Sequence, residues 1–129
     1  MKKFINSFEN IFSQPSLRKA WIGYCKGKRQ RQSVAEYEYS LEENLVELYR
    51  RLKNNTYESS PYRKFIVFDP KKRVISAPDM ADHIVHRALH NALYPFYDRL
   101  FMACSFSCRE GKGLGKALEL TRSYLKSAS

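Results

Sequence analysis

The chain has 129 residues and carries 23 Lys and Arg against 13 Asp and Glu, a formal net charge of +10. Its 43% hydrophobic and 14% aromatic content is typical of a folded protein and excludes a disordered tail; the length fits a single domain with one core. A positive charge of this size favours a polyanionic partner, of which nucleic acid is the commonest.

The cysteine count and the apolar runs indicate the compartment. Three cysteines are an odd number and too few for a disulfide framework, which favours a reducing environment. No apolar run approaches the length of a membrane span. The start Met-Lys-Lys-Phe-Ile lacks the apolar segment of a signal peptide. We therefore expect a cytoplasmic protein without a membrane partner.

Residues 1–32 are predicted to form two short helices and a basic stretch. Apolar spacing predicts a helix over 3–13 that ends before Pro15, then a second helix with Ser16 as its N-cap and Gly27 as its terminator. Trp21 and Tyr24 lie on this second helix. Between 18 and 31 there are six cations and no carboxylate, which fits either a solvated loop or a phosphate-binding segment. The cations that we assign to nucleic acid here are Lys28, Arg29 and Arg31.

A long structural helix is predicted over 33–55. Ser33 and Glu36 have the spacing of a capping box, and Asn54-Asn55 ends the pattern. Acidic residues come early and basic residues late, as the helix dipole favours. One face is apolar for about five turns, through Val34, Tyr37, Leu41, Leu45, Leu48 and Leu52.

A β-hairpin is predicted over 62–77. Aromatic and β-branched residues fill both strands, and Asp69-Pro70 supplies the turn. Lys71, Lys72 and Arg73 then lie at or beside its tip. Three neighbouring cations repel one another unless an anion lies among them, so the tip is a candidate phosphate site.

The next helix is predicted over 79–94, with Asp79 as N-cap and Asp82 stabilised by the dipole in the first turn. Pro95 ends or kinks it. Its buried stripe is predicted as Ala81, Ile84, Val85, Ala88, Leu89, Ala92 and Leu93, and its polar stripe as His83, His86, Arg87 and His90.

A Gly/Lys loop and a C-terminal helix fill 105–125, with Arg109 and Lys112 in the loop. The fold class is therefore α+β, mostly helical, with one projecting β-hairpin. No nucleophile elbow or P-loop occurs, and no set of carboxylates converges. A zinc site is disfavoured, because polar surface histidines and small buried cysteines explain the following set better: His83, His86, His90, Cys104 and Cys108. We expect a phosphate-binding surface with no catalytic residue, metal or cofactor of its own.

Three blocks of sequence follow one another between Arg73 and Gly113. They are Arg73-x-Ile-x-Ala-Pro78-x-x-x-Asp82-x-x-Val85-His86-x-Ala88-Leu89, then Pro95 and Phe101, then Ser105-Phe-Ser-Cys-Arg109-x-Gly111-Lys-Gly113. Over roughly residues 18–120 the chain resembles the fingers region of bacterial reverse transcriptases. The resemblance is greatest to those of diversity-generating retroelements, then to those of group II introns. It departs at His83, where the family usually has Arg, and at Phe106, where it often has Tyr.

The resemblance implies a fingers subdomain of a right-hand polymerase without its palm. Lys71, Lys72 and Arg73 would then bind the triphosphate of an incoming dNTP. The other nucleic-acid contacts would be Lys28, Arg29, Arg31, His86, Arg87, Arg109 and Lys112. The expected partners are template RNA, an RNA/DNA duplex, dNTP and a palm in the same or a separate chain, with a homodimer possible for the isolated part. Mg²⁺ is expected only in a full-length polymerase.

Two other functions fit the residues. One is a free-standing, non-enzymatic RNA-binding or maturase-like module that acts with a separate palm subunit. The other is a helical protein–protein adaptor, which would have no affinity for nucleic acid. Salt-sensitive RNA binding distinguishes the first from the second.

Overall fold

The computed structural model describes residues 7–127, so residues 3–6 of the first predicted helix lie outside the described part. The fold is α+β and mostly helical with one antiparallel β-hairpin, which confirms the predicted class. The elements are α1 (Phe8–Phe12), α2 (Gln14–Cys25), α3 (Gln32–Tyr39), α4 (Leu41–Lys53), β1 (Arg63–Phe68), β2 (Lys72–Ala77), α5 (Met80–Tyr97) and α6 (Leu114–Ser127).

The chain, which was predicted as one domain, has two compact units, and the boundary between them follows Leu93. The first has a hydrophobic core built from α2, α3, α4 and α5, with Trp21 only 2% exposed and packed on Tyr37 at 5.1 Å between ring centroids. Removing such side chains from water is the main stabilising term of a small unit. The buried apolar residues are Leu17, Ala20, Trp21, Cys25, Val34, Leu45, Leu48, Leu52, Met80, Ile84, Val85 and Ala88.

Helix α2 begins two residues before the predicted cap. Ser13 occupies the N-cap position and Pro15 lies in the first turn, where its missing N–H costs nothing. The hydroxyl of Ser16 instead donates to the carbonyl of Asn10 at 2.9 Å. The helix ends at Cys25, and Gly27 follows with a positive φ of 74°.

The predicted 33–55 helix is broken into α3 and α4. Ser40 has φ −118° and ψ 41°, outside helical geometry. The side-chain amide of Asn44 donates to the carbonyl of Tyr37 at 3.1 Å, which satisfies an oxygen that the N–H of Leu41 would bind in an unbroken helix. The apolar stripe survives because both halves pack against the same core.

The predicted capping box does not form. Helix α3 begins at Gln32 after Arg31 as N-cap, so Ser33 lies inside the first turn, and no side chain caps the helix. Glu36 accepts a hydrogen bond from the Gln32 side chain at 2.8 Å instead. The first backbone N–H groups of α3 therefore have no side-chain partner.

The hairpin agrees with the predicted 62–77, with Phe68 paired to Lys72 around the loop 69–71. None of its side chains is buried. Since side chains alternate across strands, each face is defined by the register. The inner face is Arg63, Phe65, Val67, Arg73, Ile75 and Ala77, and the outer face is Lys64, Ile66, Phe68, Lys72, Val74 and Ser76.

Asp82 anchors the segment that precedes the hairpin. Its carboxylate is 1% exposed and accepts hydrogen bonds from the Tyr57 hydroxyl, the Ser59 hydroxyl at 3.2 Å and the Ser60 N–H at 3.1 Å. The predicted role of Asp82 was a helix-dipole contact in the first turn of α5. The structure adds a link between α5 and a segment more than 20 positions earlier in the chain.

The second unit contains the end of α5, the loop 98–113 and α6. No side chain in its described part, 94–127, is buried. Pro95 lies within α5, two residues before that helix ends at Tyr97, which is later than the predicted end at 94. Among residues 7–127, no helix combines the length and apolar character that crossing a membrane requires.

Candidate nucleic-acid interface

The three cations at the hairpin tip are all exposed. Lys71 lies in the connecting loop, Lys72 opens β2 on the outer face, and Arg73 follows on the inner face. Within residues 7–127, none of the three lies within 4.0 Å of a carboxylate as an ion pair. Their charges are therefore not neutralised by neighbouring side chains.

The basic stretch 18–31 is partly neutralised by ion pairs. Arg29 lies 3.7 Å from Glu38, and Arg18 lies 2.6 Å from Glu42. Lys28 places its Nζ 4.2 Å from the centroid of the Tyr24 ring, a cation–π contact. Trp21 is buried, so only Tyr24 of the two aromatic side chains in this stretch can meet a ligand.

A cleft of about 560 Å³ opens between the helices of the first unit and the base of the hairpin. Arg31 contributes from the N-cap of α3, and Arg63 contributes from the first position of β1. The aromatic side chains on its wall are Tyr24, Tyr37, Phe65 and His83, and the carboxylates are Glu36 and Asp79.

His83 lies against the ring of Tyr24, with centroids 4.6 Å apart and an interplanar angle of 26°. Burial lowers the pKa of His83, nearby Lys28 and His86 lower it further, and Asp82 and Asp79 act in the opposite direction. The lowered pKa favours the neutral form of the imidazole. Burial also raises the pKa of Tyr24, while nearby Arg31 acts in the opposite direction. This stack is a flat, neutral surface beside cationic side chains.

The predicted polar stripe of α5 is divided. His86 and Arg87 are exposed as expected, but His83 is half-buried against Tyr24. The Arg87 side chain crosses α2 at Gly23, where an added Cβ would lie 3.2 Å from Arg87 Nε. Arg87 is therefore positioned partly by the absence of a side chain on the neighbouring helix.

Arg109 is the centre of the loop in the second unit. Its Nε donates to Asp98 Oδ1 at 2.7 Å, and its other nitrogens donate to the carbonyls of Asp98, Met102 and Ser105 at 2.8–3.2 Å. The side chain is only 10% exposed. The hydrogen bond from Arg109 lowers the pKa of Asp98, and the same contact raises the pKa of Arg109. The guanidinium thus holds the loop in shape.

Lys112 is also engaged within this loop. Its Nζ donates to the carbonyl of Ala103 at 2.5 Å and lies 5.3 Å from the centroid of the Phe106 ring. The two cysteines that were expected to be buried, Cys104 and Cys108, are exposed, because the described second unit has no buried core to receive them.

The structure brings only some of the predicted residues together. Arg31 lines the cleft and Lys28 lies beside its Tyr24 wall. The tip cations lie at the opposite end of the strands, roughly 17 Å along them. Arg63 and Phe65 also line the cleft but were not predicted to do so; the available signal was a cation at the start of a strand, on the same face as Arg73.

The aspartates do not gather into a metal site. Asp82 is bound by three donors and Asp98 by Arg109, while Asp69 is exposed near the tip. In the part of the chain that the structure describes, no three His, Cys, Asp or Glu side chains lie together as metal ligands. None of these carboxylates is assigned to magnesium.

Comparison with protein-family models gives no match, and comparison with curated proteins gives no significant similarity.

Proposed function

We propose that this chain is the fingers part of an RNA-directed DNA polymerase, which binds template RNA and the phosphates of incoming nucleotides without catalysing synthesis alone. The proposal combines the sequence resemblance with one structural observation. That observation is a contiguous cationic tip, formed by Lys71, Lys72 and Arg73, which has no ion pair with residues 7–127 and lies on a hairpin whose strands bury none of their side chains.

The charges of the tip favour a polyphosphate over a single carboxylate. The hairpin, residues 63–77, carries one acidic residue, Asp69, against five basic ones. A triphosphate or a run of phosphodiesters can neutralise several adjacent cations at once, which relieves their mutual repulsion. Arg73 offers a planar fork for two phosphate oxygens, and the lysines offer point charges.

The test is removal of the tip charges. The variant Lys71→Ala/Lys72→Ala/Arg73→Ala should bind a fluorescein-labelled single-stranded RNA more weakly than the unaltered chain. Its plot of log affinity against log salt, between ~50 and ~200 mM, should be shallower by about 2 if all three cations contact phosphates. Inorganic tripolyphosphate should compete with RNA for the unaltered chain but not for the variant.

A matched control separates local contact from net charge. Lys19→Ala/Lys26→Ala/Lys53→Ala removes three exposed cations of the same unit, two within its helices and one directly after α2. Equal losses of affinity in the two triple variants would contradict a specific role for the tip. RNA binding that is insensitive to salt would contradict the proposal as a whole.

A polymerase assay tests the other part of the proposal, that this chain does not catalyse synthesis alone. Primer extension with Mg²⁺ or Mn²⁺ should yield no product from this chain alone, since two of its four aspartates, Asp82 and Asp98, are already held by hydrogen-bond donors. Synthesis above a heat-denatured control would refute the assignment of a binding role without catalysis.

A further inference from the structure

The cleft at the hairpin base has features of a ligand site that the tip does not share. It is concave, its volume of about 560 Å³ is in the range of small-ligand pockets, and it lies wholly within the first unit. Aromatic faces and two arginines meet on its walls. This combination of stacking surface and cation is the one that proteins use for unpaired nucleotides.

We propose that this cleft holds one unpaired nucleotide of a nucleic-acid strand, with its base against the His83–Tyr24 stack and its phosphate between Arg31 and Arg63. The inference rests on the proposed function in one respect: the proposed function says that the bound strand is template RNA. It assigns that strand to a second place on the molecule, separate from the hairpin tip.

The phosphate position is supported by the start of α3. Arg31 is the N-cap of that helix, no side chain caps it, and its first backbone N–H groups point out of the helix. Arg63 lies beside the same turn, because it shares a smaller neighbouring pocket with Gln32, Ser33 and Glu36. An anion there would meet two guanidinium groups, free backbone donors and the positive end of the helix dipole.

The base position is supported by the aromatic wall. His83 is stacked on Tyr24 with centroids 4.6 Å apart, and burial favours its neutral form, so it can stack on a base without adding a charge to the apolar part of the cleft. Tyr37 and Phe65 add apolar surface, and the amide of Asn44 also lines the cleft. Stacking of this kind accepts any base, so we expect little sequence preference.

The two carboxylates on the wall favour a strand over a free nucleotide. Glu36 and Asp79 would repel the two negative charges of a terminal phosphate more than the single charge of an internal phosphodiester. The cleft should therefore prefer a nucleotide inside a strand.

The phosphate contacts can be tested with Arg31→Ala/Arg63→Ala. The probe is an eight-nucleotide single-stranded RNA that carries one internal 2-aminopurine, whose emission is quenched by stacking. We expect this variant to bind the probe roughly tenfold or more weakly, since each arginine makes a charge-assisted contact. The control Lys26→Ala/Lys53→Ala removes the same charge outside the cleft and should change affinity by less than about twofold.

The stacking surface has its own pair of variants. His83→Leu should lose roughly tenfold in affinity, together with the protein-dependent quenching, whereas His83→Phe keeps a neutral flat ring and should retain both. Emission from Trp21, the one tryptophan in the sequence, checks that each variant is folded. Unlabelled eight-nucleotide RNA should displace the probe at much lower nucleotide concentration than AMP does; equal displacement would overturn the preference for a strand.

The outcomes distinguish the two proposals. If the tip variant weakens RNA binding while Arg31→Ala/Arg63→Ala matches its control, the cleft proposal is wrong and the proposed function stands. If His83→Leu and His83→Phe behave alike, the base does not stack there. If the unaltered chain binds no RNA at all, both proposals are wrong.

Discussion

At the scale of single residues, Asp82 shows how a buried charge can be accommodated in a small core. A carboxylate that leaves water loses its hydration, and here three donors from residues 57–60 replace it. Burial, followed by the hydrogen bond to Asp82, raises the pKa of Tyr57. Tyr57 therefore stays protonated and donates to Asp82 over the whole neutral range. The contact fixes the segment from which β1 and the cleft residue Arg63 follow.

We predict that Asp82→Ala lowers the free energy of unfolding by about 1–3 kcal/mol, because it leaves buried donors without a partner. Tyr57→Phe removes a single hydrogen bond and should cost about 1 kcal/mol. Urea unfolding followed by Trp21 emission measures both. The control Asp69→Ala alters an exposed carboxylate near the hairpin tip and should stay within about 0.5 kcal/mol. A loss no larger for Asp82→Ala than for the control would contradict the anchoring role.

His83 gives the first unit a dependence on pH. Its folded pKa lies below the ordinary value of 6.5, so the unfolded chain binds the proton more readily. The free energy of unfolding should therefore fall as the pH drops through 6.5, and the fall should end once the folded imidazole is also protonated. At pH 7.5 this contribution is fully present.

The measurement is urea unfolding at pH 7.5 and pH 5.5. We predict that the unaltered chain loses stability between the two values and that His83→Phe loses less, because the variant has no proton to gain at this position. His86→Gln removes an exposed histidine of the same helix and should keep most of the loss, because burial is a larger cause of the lowered His83 pKa than His86 is. An unchanged pH dependence in His83→Phe would rule out His83 as its source.

At the scale of elements, the two glycines around the end of α2 have different roles. Gly23 lies inside the helix, where its flexibility weakens α2, and the Arg87 side chain passes over it. Gly27 lies after the helix with φ +74°, a conformation that residues with a Cβ adopt at a cost. One position therefore tolerates a methyl group and the other does not.

We predict opposite effects of alanine at the two positions. Gly23→Ala should raise the free energy of unfolding by up to about 1 kcal/mol, because helix propensity improves and the flexible end of the exposed Arg87 can move aside. Gly27→Ala should lower it by about 1 kcal/mol through backbone strain alone, since no atom lies within 4 Å of the added Cβ. Thermal unfolding of both variants measures these two changes in the free energy of unfolding. Changes of the same sign would show that one of the two explanations is wrong.

At the scale of the whole molecule, strong positive charge coexists with exposed apolar surface. The formal charge is +10, yet Phe68 is 74% exposed at the end of β1, and other apolar side chains of the hairpin and of α6 are also exposed. Charge repulsion opposes self-association, whereas the apolar side chains favour it. Salt screens the repulsion between copies and leaves the apolar attraction. Its effect on self-association should therefore be opposite to its effect on nucleic-acid binding.

We predict that raising salt from ~50 to ~500 mM weakens RNA binding but strengthens any self-association, since screening removes repulsion and leaves apolar contact. Sedimentation velocity measures the association. Phe68→Ala should reduce it if the outer face of the hairpin takes part, and Val46→Ala, on the exposed side of α4, serves as the control. Self-association that weakens as salt rises would mean that charge pairs hold the copies together.

The local features of the chain were determined by the sequence. The hairpin over 62–77, the start of α5 near Asp79 and the end of α2 before Gly27 follow from strand-forming residues, a proline turn and caps that act within a few positions. Such short-range preferences hold before any tertiary contact forms. The resemblance to reverse transcriptase fingers rests on the sequence alone and stays a prediction.

Only the tertiary structure decided how distant residues are used. The break at Ser40 is accompanied by a hydrogen bond from an amide four residues further along, and the burial of Asp82 depends on donors more than 20 positions earlier in the chain. The cleft joins Arg31, Arg63 and His83 from three separate elements, while Arg109, a predicted contact for nucleic acid, donates to its own loop. Residue spacing cannot reveal these choices, because each depends on which groups the folded chain brings within hydrogen-bonding or stacking distance.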